Sequence, residues 1–318
     1  MKHQLEGASV VVTGGCGFIG SHLVRRLLGL GVGRVVVIDS LRYGDKANLG
    51  ALSERVQLVQ HTLGFDARDE LAAALKGAEY LFHLAAEKHN QSKDDPVRVL
   101  RANVEGTLTL YELACAAGVK RIVFSSSLYA YGRMQGEPFV ETEVPEPSTV
   151  YGISKLTGEH LLRYFQAQAG LEYNVLRYLF VYGPKQFAGM GYKSVIMKNF
   201  ERIIAGEPPT VYGDGEQALD YVYVDDVVDA TLSAMTSATH GEVFNIGSGR
   251  ATTVNHLLDT MLRVSESSSS KLSQPADWTA GSWRVGDVQK ISKQLGWEAT
   301  TSLEEGLEQT YRWMREQT

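Results

Sequence analysis

The stretch that decides the fold is Ala8-Ser9-Val10-Val11-Val12-Thr13-Gly14-Gly15-Cys16-Gly17-Phe18-Ile19-Gly20-Ser21-His22-Leu23. Ala8–Thr13 is largely β-branched, the composition of a buried strand. A glycine cluster follows at once, and Ser21–Leu30 then spaces its apolar residues as a helix does. Gly15-x-Gly17-x-x-Gly20, or the shifted Gly14-x-x-Gly17-x-x-Gly20, is the turn that a dinucleotide site needs. Without side chains the backbone bends sharply, approaches a pyrophosphate and seats a helix N-terminus beside it. A second apolar run, Val35–Ile38, ends in Asp39, nineteen residues beyond Gly20. A carboxylate there can hold the ribose hydroxyls of an adenosine and repels a 2′-phosphate, which favours NAD over NADP. Arg42, three residues on, is the nearest basic group in the chain.

Outward from this stretch the alternation continues. Val56–Val59, Tyr80–Leu84, Arg121–Phe124 and Tyr173–Leu179 read as strands, with helices over 68–76, 93–118 and 149–170. Continuous apolar strands separated by helices predict an α/β fold, a doubly wound parallel sheet covered on both faces. After residue 180 the rhythm shortens. Pro184, Pro208-Pro209 and Gly213-Asp214-Gly215 punctuate smaller elements, and Ser265–Ser270 reads as a solvated loop. The expected organisation is a dinucleotide-binding domain over 1–180, to which about 218–250 returns, and a smaller interleaved α/β substrate-binding portion over 181–318. The 318 residues carry 31 Lys and Arg against 37 Asp and Glu, a net charge of −6, with 44% hydrophobic residues. That balance is globular and lacks the basic footprint of a nucleic-acid binder. Two cysteines cannot make a disulfide framework. No apolar run approaches the roughly 18 residues of a membrane span, and Met1–Glu6 has no signal-peptide core. A cytoplasmic location is expected, with no membrane partner.

Arg121–Phe124 runs into Ser125-Ser126-Ser127, and hydroxyls at the carboxyl end of a parallel strand face the ligand crevice. Tyr151 and Lys155 stand at i and i+4, on one face of the 149–170 helix. A phenol titrating near about 10 is a poor base at neutral pH. A neighbouring ammonium favours the phenolate, and a serine hydroxyl can hold the same substrate oxygen.

Ordered along the chain stand TGGCGFIGSHL (13–23), the Asp39 strand, His83-Leu84-Ala85-Ala86, Asn103-Val104-Glu105-Gly106-Thr107, Ser125–Ser127, Tyr151-x-x-x-Lys155, Arg177-Tyr178, Val181-Tyr182-Gly183-Pro184, Tyr212-Gly213-Asp214-Gly215, Tyr223-Val224-Asp225-Asp226-Val227 and Arg284-Val285-Gly286-Asp287. Over nearly its whole length the sequence resembles the extended short-chain dehydrogenase/reductases, in the group of nucleotide-sugar epimerases and dehydratases. The resemblance implies a Rossmann-type fold, NAD as cofactor and a UDP-sugar or other nucleotide sugar as substrate. Gly14, Gly17, Phe18, Ile19 and Gly20 would hold the pyrophosphate, Asp39 the ribose and Asp66 the adenine. Leu84, Ala85, Ala86, Lys88, Asn103, Ser125, Ser126 and Tyr178 would line the cofactor channel, and Lys155 would bind the nicotinamide ribose. Tyr151 would take a proton from the sugar hydroxyl, typically at C4, while NAD takes the hydride and Ser127 orients the oxygen. Substrate contacts would come from Lys88, Ser127, Phe180, Lys185, Val195, Val211, Tyr212, Gln217, Arg284 and Asp287, with 190–220 holding base and sugar. Homodimers would pair through the helices near 93–118 and 149–170.

The chain departs from family patterns where the reaction is decided. The Asp-Glu pair of dTDP-glucose 4,6-dehydratases is replaced by Leu128 and Tyr129, yet Ala85-Ala86-Glu87-Lys88-His89 resembles the dehydratase segment. Phe180 stands where an asparagine is usual and Leu219 where an arginine is usual, leaving Arg284 and Lys185 to meet the diphosphate. The expected reaction is oxidation to a 4-keto sugar followed by dehydration of a UDP-hexosamine such as UDP-GlcNAc. This is the 5,6-dehydratase type known from antibiotic biosynthesis, with the hydride returned to C4. Glu87, Lys88 or Tyr129 would serve C5 and C6. The alternative is a UDP-sugar 4-epimerase, and a distant one a non-catalytic NAD-binding regulator. The histidines, His83 and His89 included, read as structural, and no metal is expected. Cys16 reads as a packing thiol rather than a nucleophile. Trp278, Trp283, Trp297 and Trp313 read mostly as core or cap residues, with Trp283 a candidate wall of the nucleotide site.

Overall fold

The computed structural model describes residues 2–133, 136–186 and 193–317. Six strands alternate with helices through the first part of the chain: β1 (Ser9–Thr13), β2 (Arg34–Asp39), β3 (Gln57–Gln60), β4 (Tyr80–His83), β5 (Arg121–Ser127) and β6 (Glu172–Tyr178). Glu242–Ile246 returns to pair in parallel with β6. The sheet is wholly parallel, in the order Glu242–Ile246, β6, β5, β4, β1, β2, β3. Val10, Val11, Val12, Val36 and Val37 are fully buried, because helices cover both faces and leave no polar side. Chain order reverses between β1 and β4, and a doubly wound sheet opens its ligand crevice there.

The helix expected over 93–118 is interrupted. A short turn, Gln91–Asp94, stops at Asp95, whose side chain caps a new helix at Arg98 N. Pro96 opens that second helix, Pro96–Leu100, which widens through a π-turn at Arg101–Glu105 and continues as Gly106–Ala116. Proline is tolerated in a first turn and not in a helix interior, so the break falls at Asp95-Pro96. The catalytic-motif helix runs Val150–Ala169, capped by Thr149 at Gly152 N and ended by left-handed Gly170. A separate apolar core, with Ile196, Phe200, Leu257, Leu258 and Leu307 at its centre, packs the later helices beside the sheet. Small strand pairs knit that part together: Phe180–Tyr182 with Tyr221–Tyr223, Thr210–Tyr212 with Leu272–Gln274, and Ala218–Leu219 with Trp283–Arg284. None of the described helices is long and apolar enough to cross a membrane.

Candidate active site

The crevice at the switch point is built from the glycine turn outward. Gly14 has φ +73°, and a Cβ there would lie 2.9 Å from Ala85 N. A Cβ on Gly20 would strike the Gly14 carbonyl. Only glycine lets β1 turn this tightly into helix Phe18–Gly29, whose N-terminus has no side-chain cap. The first amides of that helix are free to bind an anion. Asp39, at the end of β2, faces the same cleft, its carboxylate accepting from Cys16 N at 2.9 Å and Leu41 N at 2.8 Å. A bare helix N-terminus, close backbone approach and an acid at the next strand end fit a dinucleotide.

Across the sheet the cleft receives Ser125, Ser126 and Ser127 from β5 and Tyr151 and Lys155 from their helix. The Ser127 hydroxyl hydrogen-bonds the Tyr151 phenol and favours its ionisation, but burial pushes the phenol well above its ordinary value, and nearby Tyr129 adds to this. Lys155 Nζ donates to the Ser125 carbonyl at 2.7 Å, and burial brings its pKa down to about 7. The expected lowering of the phenol by the Lys155 ammonium is not among the causes that set its titration; burial dominates. Asn103 lies behind the cleft. Its amide clasps the Glu87 backbone on both sides and reaches Ser154 Oγ, which donates to the Tyr151 carbonyl. The glutamate loop and the tyrosine helix are thereby fixed to each other.

Glu87 is buried in this wall, with Arg98 Nε at 2.7 Å on one carboxylate oxygen and the Tyr43 hydroxyl at 2.5 Å on the other. Arg42 Nε stands 3.6 Å away. This carboxylate, a candidate for C5 or C6 proton transfer, is engaged on both sides. Lys88 stands over the Tyr43 ring at 4.6 Å, with its pKa lowered by burial to about 8. Leu84, Ala85, Ala86, Tyr129, Tyr178 and Phe180 complete the lining, together with His89, Tyr43 and Gly44, which sequence reasoning did not place there.

A second cavity joins the first through Phe180, Val181, Gln186 and Ser194. Val195, Tyr212, Gln217 and Arg284 line it as expected positions, and exposed Trp278 joins them rather than serving the core. Arg284 is buried with its guanidinium 4.9 Å from the Phe180 ring centre. Arg284 Nε, Gln217 Oε1 and Ser282 Oγ are enclosed in this wall without hydrogen-bond partners. Buried polar atoms are ordinarily paired, so three orphans in one cavity wall mark the place of a polar ligand. Four expected residues stand elsewhere. Lys185 Nζ donates to the Asn48 carbonyl, Asp66 accepts from Thr62 N, and Asp287 accepts from Gln289 N. Val211 is buried in the adjoining core. Lys185 and Asp287 are thus held by the chain rather than aimed into the cavity. Residues 190–192 of the expected substrate segment lie outside the described residues.

Residues 10–247 match the model of the NAD dependent epimerase/dehydratase family. The chain belongs to this family. It is 38% identical to the UDP-glucose 4-epimerase of Thermotoga maritima, with a TM-score of 0.90 over 97% of this chain and 99% of that one. It is 31% identical to the dTDP-glucose 4,6-dehydratase of Streptomyces griseus, over 96% of this chain and 93% of the relative. It is 33% identical to UDP-glucuronic acid decarboxylase 1 of Arabidopsis thaliana, over 94% of this chain and 68% of the relative. The family member is therefore an NAD-dependent nucleotide-sugar enzyme, and three reactions share its scaffold at similar identity. The side chains at the sugar end must decide among them.

Proposed function

We propose that this enzyme interconverts UDP-sugars at C4, as a 4-epimerase. Tyr151 accepts the C4 hydroxyl proton, Ser127 holds the oxygen, and Lys155 anchors the ribose beside them. Bound NAD would supply the hydride acceptor and donor at C4, and its positive nicotinamide charge would favour the Tyr151 phenolate against the burial that raises its pKa. Arg284, with its unpaired Nε, takes the diphosphate at the joined cavity, and the space lined by Phe180, Val181, Gln186 and Ser194 gives the sugar room to turn. The observation that carries epimerisation over dehydration is the state of the acids. Leu128 and Tyr129 replace the carboxylate pair of the 4,6-dehydratases, and Glu87 is locked by Arg98 and Tyr43. Elimination needs a free acid and base beyond C4, whereas epimerisation needs only Tyr151 and a rotating ketose.

The 5,6-dehydration of UDP-GlcNAc is the second reading. It is favoured by His89 in the same cleft, whose imidazole burial holds below its ordinary pKa. Incubation with NAD and either UDP-glucose or UDP-GlcNAc separates the two by product mass. An unchanged mass with inverted C4 supports epimerisation, and a product lighter by one water overturns it. Y151F is expected to lose about a hundredfold or more in turnover while retaining NAD.

A further inference from the structure

The cleft is bridged across its glycine turn. Tyr43 lies four residues beyond β2 and Glu87 four beyond β4, and β1 runs between those two strands. The Tyr43 hydroxyl nevertheless donates to Glu87 at 2.5 Å. Neighbouring strands stand about 4.8 Å apart, so this contact joins loops that start about 10 Å from each other. Both residues line the cleft. Each side is fixed independently. The loop after β2 is pinned to the glycine turn, Asp45 N and Asn48 Nδ2 donating to the Cys16 carbonyl at 3.0 and 2.9 Å. Gly44 packs so closely there that a Cβ would lie 2.8 Å from the Cys16 carbonyl carbon. Leu41, at the root of this loop, holds φ +58°, a left-handed conformation strained for a residue with a side chain. On the other side Arg98 holds the second oxygen of Glu87, and Asn103 holds its backbone. Arg42 Nε donates to the Tyr43 oxygen at 3.0 Å, and Lys88 stands over the ring. The bridge is one connected set of charge-assisted hydrogen bonds, the strong class, joining Arg42, Tyr43, Glu87 and Arg98.

We propose that the Tyr43–Glu87 bridge is a clasp closed over the bound dinucleotide, which has to open each time NAD enters or leaves. It requires NAD as the cofactor and is independent of the reaction at C4. With the adenosine ribose at Asp39, the pyrophosphate at the uncapped amides of Phe18–Gly29 and the nicotinamide towards Ser127 and Tyr151, the dinucleotide passes from the β2 side to the β5 side over the end of β1. The glycine turn floors that path, and the bridge crosses the same strand ends. A bare carboxylate beside a pyrophosphate would repel it. Here Arg98 and Arg42 offset the charge of Glu87, while burial and the hydrogen bond to Glu87 keep the Tyr43 phenol protonated.

The test times cofactor exchange rather than turnover. Holoenzyme carrying radiolabelled NAD is chased with unlabelled NAD, and bound label is read by rapid filtration. Protein freed of cofactor is followed as it takes label up. Y43F keeps the ring beneath Lys88 and removes the bridging hydroxyl. It is expected to release and to take up NAD each about tenfold faster, the effect of one lost charge-assisted hydrogen bond, so that Kd is unchanged. E87L is expected to match it, and Y43F/E87L to be no faster than either, because each breaks the same bridge. The Y43F rates decide alone if E87L does not fold. R263M, which breaks a surface ion pair with Glu304, is expected to exchange NAD as wild-type protein does. Unchanged release in Y43F overturns the clasp. Faster release with unchanged uptake overturns it too, since Tyr43 is then an ordinary contact of the bound cofactor. So does a double variant faster than both single ones, which shows two separate contacts, or an R263M as fast as Y43F, which shows general loosening.

Discussion

At the scale of single residues, burial lowers the pKa of the site's two amines. Lys155 is brought to about 7 and Lys88 to about 8, desolvation being the larger cause for each. An unfolded lysine titrates near about 10.4, so between pH 7 and 10 the unfolded chain binds more protons than the folded one. Stability then rises with pH across that interval, and the penalty is fully present below about pH 7. Cys16, pushed up to about 12 by burial and by Asp39, acts in the opposite sense, but only as free thiols begin to ionise above about pH 8. The cofactor-free protein should therefore melt at higher temperature at pH 8 than at pH 7. K155M should flatten that slope while K198M, whose ammonium meets Tyr212 at an exposed position, leaves it unchanged. A melting temperature that is flat or falling over this interval in wild-type protein would mean that these amines stay charged when folded.

At the scale of elements, the catalytic groups depend on one buried ion pair. Arg177 on β6 meets Glu159 on helix Val150–Ala169 through Nε at 3.0 Å and Nη2 at 2.7 Å, both side chains nearly sealed from solvent. Ser126 Oγ on β5 donates to the same carboxylate at 2.5 Å, and the guanidinium lies 4.5 Å from the Tyr131 ring centre. Two strands and the tyrosine helix thus share one charge cluster, one turn beyond Lys155. Removing one partner leaves a buried charge uncompensated, at a cost of about 3–5 kcal/mol. R177M should lose that much in urea unfolding, and R177M/E159L should recover most of it because neither charge remains. A double variant as unstable as R177M would show that the loss is one of packing. These elements also show what the sequence made legible. The glycine turn, Asp39, Ser127, Tyr151 and Lys155 obey local spacing rules, and the sheet places them together. The fate of Glu87 does not obey such rules, because its partner Tyr43 comes from the loop after β2 and Arg98 from helix Pro96–Leu100. Trp278, Gln186 and Ser194 likewise become cavity walls only through tertiary packing, and the helix broken at Asp95-Pro96 had its cap and proline in plain view.

At the scale of the whole molecule, the surface carries an apolar face that the fold does not cover. Of nine exposed large hydrophobic residues among the described ones, five lie on Pro96–Ala116 or Val150–Ala169: Val97, Leu100, Leu108, Ile153 and Tyr164. Val97 is 74% exposed and Tyr164 54%. Ile153 and Tyr164 are eleven residues apart, about three helical turns, and so share one face. We propose that this face pairs with its copy in a second molecule, giving a two-fold dimer in which four helices pack together. A symmetric partner buries the same patch on both subunits, which a net charge of −6 spread over each chain opposes only weakly at physiological salt. Because Ile153 lies between Tyr151 and Lys155 on the opposite side of their helix, the interface would brace that helix from behind. Wild-type protein should scatter light as a dimer of 34.9 kDa chains. V97E/I153E should be monomeric, with its far-ultraviolet circular dichroism and NAD binding retained. A wild-type monomer, or a double variant that remains dimeric, would place the association elsewhere or remove it.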